Sequence, residues 1–173
     1  MTVAPLATLA LEEFRRRQTK ARVIVAARRM PLAEAEAHLR PWAAIATHCG
    51  ADLPEAAELR ADIMAEAEPA GWNPGAVRWL IAEELCPRAR WAPVLTAARD
   101  LAFDRLHPAV AERSEAEPRN AHESAEAVAT AAALHRIAMA LAHDVNGQHP
   151  IPGYDAARRI ERARKAEPER KAA

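Results

Sequence analysis

The chain is 173 residues long, within the usual range of one folded domain, and half of it is apolar, which is ample for a buried core. Its 24 lysines and arginines balance 24 aspartates and glutamates, so no whole-molecule field draws it toward nucleic acid or a membrane surface. No stretch approaches the roughly 18 uncharged apolar residues that span a bilayer, arginines stand where a secretory signal would carry its apolar run, and Cys49 and Cys86 lack metal or redox spacing, so a cytoplasmic protein with reduced thiols is expected.

The first helix is predicted from Leu6 to Met30. Leu6, Ala10, Phe14, Ala21, Ile24 and Val25 share one arc at the helical period, and Pro31 closes the segment. A short helix follows over Leu32 to Leu39, and Pro41 either kinks it or opens a new turn running through Trp42 and Ile45 to His48, ended by Gly50. Asp52-Leu53-Pro54-Glu55 has the form of a capping box with a first-turn proline, opening a helix that buries Ala56, Leu59, Ile63 and Ala67. Pro69 to Asn73 reads as a turn. Asn73-Pro74 caps a helix with Val77, Leu80, Ile81 and Leu85 inward, and Pro87 follows its end.

The next helix is expected from Pro93 to Leu106, with Val94, Leu95, Ala98, Leu101 and Ala102 inward. Residues 107–119 read as a connection. A second capping signal at Asn120 opens the clearest helix, which is anchored by Val128, Leu134, Ile137, Leu141 and Val145 and stopped by Asn146-Gly147. Its apolar content makes it the expected centre of the fold. The basic segment 154–173 is helix-compatible but poor in large apolar groups, so it is expected to be a partly disordered helix or tail beside one domain over residues 1–153. The fold class is therefore all-α: an irregular bundle of five to seven helices with no sheet.

Charge is segregated although it cancels. Residues 1–30 carry about +5, residues 31–77 about −6 and residues 154–173 about +3. Arg15, Arg22 and Arg29 recur every seven residues on one face of the first helix, and Glu55, Glu58, Asp62 and Glu66 form an acidic line on the helix after Asp52. Such lines are either solvated faces or two surfaces that meet and set the register of an assembly. Arg78-Trp79 and Arg90-Trp91 pair a cation with an indole, as sequence-tolerant nucleic-acid surfaces do, and Arg158 and Arg162 extend the basic set. Against this, a helix-turn-helix over residues 55–85 would place a strongly acidic helix on phosphate.

Metal-ligand chemistry is concentrated in His135, His143, Asp144 and His149, with types that suit zinc, iron or nickel. His143-Asp144 resembles the dyad of HD-type metal phosphohydrolases in those two residues alone. The earlier histidine and later aspartate of that family would have to be His122 or His107 and Asp155, and Asp155 follows too closely, so the resemblance is set aside. With five glycines the chain carries no phosphate-binding loop, and no serine sits in a nucleophile elbow. Cys49 beside His48 pairs a thiol with a base in sequence, but adjacent helical positions diverge.

Alanine makes up about a quarter of the chain and aromatic residues 4 %. Alanine favours helix but buries little area, so such a core is often completed by a partner. The expectation is a small bacterial or phage-derived helical interaction or assembly protein without catalytic activity or cofactor, working on itself or on another helical protein. A nucleic-acid-associated accessory role comes second, and a hydrolase using a transition metal third.

Overall fold

The computed structural model describes residues 4–106, 121–142 and 154–171. They form seven α-helices and one 3-10 turn with no strand among them: α1 Leu6–Ala26, α2 Leu32–His48, the 3-10 turn Pro54–Ala56, α3 Ala57–Ala70, α4 Pro74–Leu85, α5 Arg88–Leu106, α6 Ala121–Leu141 and α7 Tyr154–Lys171. None of these helices is long and apolar enough to cross a membrane.

The middle of the bundle is α2 and α4. Helix α2 packs against α1, α4 and α5, and α4 against α2, α3 and α7, whereas α6 lies on α5 and α1. Burial accounts for this. Every residue from Trp42 to His48 is buried, so this part of α2 is enclosed all round, and Ala76, Val77 and Trp79 to Ala82 are buried on α4, where Arg78 alone among them is exposed. Helix α6, expected at the centre, buries a single stripe of Ala131, Leu134, Ile137 and Leu141 and exposes Val128 and Met139. Leu101 of α5 is likewise exposed rather than inward. Fully enclosed alanines, Ala44 and Ala46 on α2 with Ala76 and Ala82 on α4, let the two central helices approach closely.

Three helices end in the same way. After α2, Gly50 adopts φ +94° while its N–H donates to Thr47 O and that of Ala51 to Ala46 O. After α3, Gly71 has φ +64°, with matching bonds from Gly71 N to Glu68 O and from Trp72 N to Ala67 O. These are Schellman closures, in which a left-handed residue returns two donors to the last turn. After α1 the same pair of bonds, Arg28 N to Val25 O and Arg29 N to Ile24 O, is made with Arg28 at φ +53°. This closure ends α1 at Ala26, short of the expected Met30. A side chain at a left-handed position costs about 1–2 kcal/mol relative to right-handed backbone. Arg28→Gly is therefore expected to stabilise the fold by about 1 kcal/mol, read as a higher urea midpoint at unchanged slope.

The capping box at Asp52 does not form. Leu53, not Asp52, precedes the 3-10 turn without a side-chain cap, and the Asp52 carboxylate is taken by Arg60. At α4 the expected cap is present: Asn73 Oδ1 accepts from Gly75 N at 2.8 Å, with Pro74 in the first turn. Two prolines expected to bound helices lie inside them instead, Pro69 in the last turn of α3 and Pro93 in α5, and Pro41, read as either a kink or the start of a new turn, lies within one continuous α2. For α5 the start moves back to Arg88, because Glu83 accepts from Arg88 N at 3.1 Å and Pro87 O accepts from Arg90 N and Trp91 N.

Candidate functional site

Past Phe14 no residue of α1 is buried, and before Trp42 only Ala35 of α2 is. The two helices thus continue beyond the body as an antiparallel arm, with about 18 Å of α1 in it at 1.5 Å per residue. Charge fixes the root of this arm. The buried Glu13 accepts from Arg16 Nε and Nη2 at 3.0 and 2.7 Å on one oxygen and from Arg17 Nε at 2.7 Å on the other. A carboxylate can be buried here because both oxygens are met by guanidinium groups. The Arg17 guanidinium also lies 3.6 Å above the Trp42 ring, joining α1 to α2 by a cation–π contact. On the outer side Arg15 pairs with Glu55 at 2.5 Å, and Gln18 accepts from Arg15 and donates to the same carboxylate, both at 2.8 Å. Burial alone would raise the Glu55 carboxyl, but these hydrogen bonds outweigh it and hold the group below its ordinary value.

Where the Glu55 contact ends, an open groove of about 370 Å³ begins between the helices of the arm. Gln18, Ala21, Arg22, Val25 and Ala26 form one wall, and Leu32, Ala35, Glu36 and Leu39 the other. Leu32 is 62 % exposed, and Val23, on α1 outside the groove lining, is 64 % exposed. The apolar arc read from the sequence as core thus continues past the core. A signal for it was present in the long α1 stripe, but the sequence carries no mark of where the rest of the bundle stops covering it.

The charge lines meet at one point. Arg15 reaches Glu55, Arg22 lines the groove, and Arg29 lies beyond the end of α1 and so off the shared helical face. Glu66 pairs instead with Arg164 of α7 at 2.8 Å, while Glu58 and Asp62 are exposed and make no ion pair among the described residues. Trp79 and Trp91 are buried, which removes them as stacking surfaces for bases; Arg78 and Arg90 are exposed beside them. Arg158 and Arg162 are exposed on α7, where Arg158 pairs with Glu161. His135 is exposed and meets Phe103 edge-on at 5.7 Å, whereas His143, Asp144 and His149 lie outside the described residues. Among the described residues no group of three histidine, cysteine, aspartate or glutamate side chains is placed to hold a metal.

Sequence spacing gave no sign of the buried polar cluster at the centre. The His48 ring lies 4.8 Å from Trp79 and 5.2 Å from Trp91, with its Nε2 3.8 Å from a Glu83 oxygen, beyond hydrogen-bonding reach. Neither ring nitrogen has a hydrogen-bond partner among the described residues, nor do Thr47 Oγ1 and Trp91 Nε1. Burial holds the imidazole below its ordinary value; Glu83 opposes that, and Arg88 and Arg78 add to it. Burial pushes the thiol of the adjacent Cys49 up to about 12, against the opposing Arg78, and so disfavours the thiolate. No protein-family model, curated protein or solved structure matches this chain.

Proposed function

We propose that this chain is a helical interaction protein whose working surface is the α1–α2 arm. The carrying observation is the apolar groove that the other described helices leave open, with the exposed Leu32 in its wall. Exposed apolar surface on an element held at its root by the Glu13, Arg16, Arg17 and Trp42 contacts is surface presented in a fixed shape. Preorganisation of this kind lowers the ordering cost that a binding helix would otherwise meet. The alanines on both walls suit another helix, because small side chains allow close approach along a groove.

The test is association of the full chain with and without Leu32→Asp. The substitution adds a charge at a position that contributes little to the core, so the urea midpoint should stay within about 0.5 kcal/mol of the parent. Self-association by light scattering, and retention of other proteins by affinity capture, should both fall sharply. Association that survives the substitution, or its absence by both measures in the parent protein, would overturn the reading.

A further inference from the structure

Resting on the arm as the working surface, we propose that the groove is filled by the arm of a second copy of this chain, the two closing a four-helix bundle about a two-fold axis that runs along the arms. The argument starts from charge. Beyond Glu13 the α1 side of the arm carries Arg15, Arg16 and Arg17, which Glu55 and Glu13 already engage, then Lys20 and Arg22, with Arg28 and Arg29 at the turn, and no acidic residue. The α2 side carries Glu34 and Glu36 ahead of His38 and Arg40. The groove itself has one member of each sign, Arg22 on the α1 wall and Glu36 on the α2 wall.

Arg22 and Glu36 lie seven residues on either side of position 29 at the turn, and so at matching heights along the antiparallel arm. An axis along the arms sets each α1 beside the α2 of the other copy, and Arg22 of each copy then faces Glu36 of the other, twice per dimer. An axis across the arms would instead set α1 against α1 and α2 against α2, with Arg22 of both copies on one seam and Glu36 of both on the other. Electrostatic complementarity therefore selects the first arrangement and disfavours the second. A surface that is its own complement is what an isologous two-fold contact requires.

The apolar positions fit the same geometry. Ala21 and Val25 are four residues apart on α1, and Leu32, Ala35 and Leu39 follow an i, i+3, i+7 pattern on α2, the spacing that lines the seam of a left-handed bundle. Such helices cross at about 20°, with alanine positions setting a close approach. Leu32 would then be covered by the other copy.

Sedimentation equilibrium on the full chain tests this, with circular dichroism confirming that each variant is folded. The parent should form a dimer that weakens as salt rises. Arg22→Glu and Glu36→Arg, both at exposed positions, should each weaken it by about tenfold or more. The double variant should recover most of the affinity, because the swapped charges again face each other. The decisive arm mixes the two single variants, which should associate with one another more tightly than either does with itself. A parent that stays monomeric, single variants that dimerise like the parent, or a mixture with no preference for the heterodimer would each overturn the proposal. If the parent is monomeric yet Leu32→Asp releases a captured protein, the second copy is excluded and the arm remains the working surface. If the parent is monomeric and captures nothing, both readings fall together.

Discussion

Trp91→Ala is expected to destabilise the fold by about 3–5 kcal/mol. Trp91 is among the largest fully buried side chains, at 1 % exposure, and its ring borders His48 on α2 while the Arg88 guanidinium lies 5.2 Å from its centroid. Arg88 also donates to Leu141 O at 3.0 Å, satisfying the C-terminal carbonyl of α6. Removing the indole would therefore open a cavity where α5 meets α2 and loosen the residue that ties α5 to α6. Domains of this size have about 5–15 kcal/mol in all, so the loss is a large fraction of the total. The measurement is urea unfolding followed by circular dichroism, with a lower midpoint at unchanged slope. A change below about 1 kcal/mol would mean that the site collapses around the gap and that Trp91 is not the anchor its burial implies.

The second large effect is a loss of stability in acid that centres on His48. Burial holds the imidazole of the folded protein below its ordinary value near 6.5, so the unfolded chain binds a proton at a pH where the folded protein does not. Stability from the neutral ring is thus fully present above about pH 6.5. It falls as pH drops below that value, with a limiting slope of about 1.4 kcal/mol per pH unit for one proton, until the folded-state value is reached. Glu83 tempers the effect, because its carboxylate lies 3.8 Å from Nε2 and would face the imidazolium, while Arg88 and Arg78 strengthen it. Glu55, whose carboxyl lies below its ordinary value, adds a separate loss that begins only near pH 4.5 and below. Unfolding titrations from pH 7.5 to 5 should show the decline in the parent protein, and His48→Gln should flatten it. An equally steep decline in His48→Gln would assign it to another group.

Much of the fold was legible in the residues alone, and the reason is local. Helical periodicity, the Asn73-Pro74 cap and Gly50 as a terminator act within one or two turns of chain, so they read the same in the sequence as in the bundle. Pro69 and Pro93 were misread as boundaries, and Pro41 was left between two readings, because the local preference of proline is real but bounded. Pro41 removes one backbone donor, a cost of about 3 kcal/mol in a helix interior, yet the seven buried residues that follow it hold α2 in one piece. Pro93 is carried likewise, since Trp91 and Leu95 are buried on either side of it and Glu83 supplies the cap at Arg88. Asp52 could have capped its helix or paired with Arg60, and only the packed chain brings Arg60 within reach. The candidate site was half legible for the same reason. Periodicity showed that Ala21 and Val25 lie on the apolar face of α1 and the seven-residue spacing showed Arg15 and Arg22 on one side of it, whereas Leu32 and Leu39 were read only as the bounds of a short helix. Whether such a face is core or open surface depends on which other helices reach it, and that is set by residues distant in sequence: Glu55 covers the root of α1, and nothing from α3 to α7 lines the groove above it. The sequence by itself determined the helices and the polarity of their faces, because those follow from short-range sterics and hydrogen bonding. Only the tertiary structure decided that α2 and α4 are the centre and that the other described helices leave the α1–α2 groove open, because burial is shared among segments that no local pattern connects.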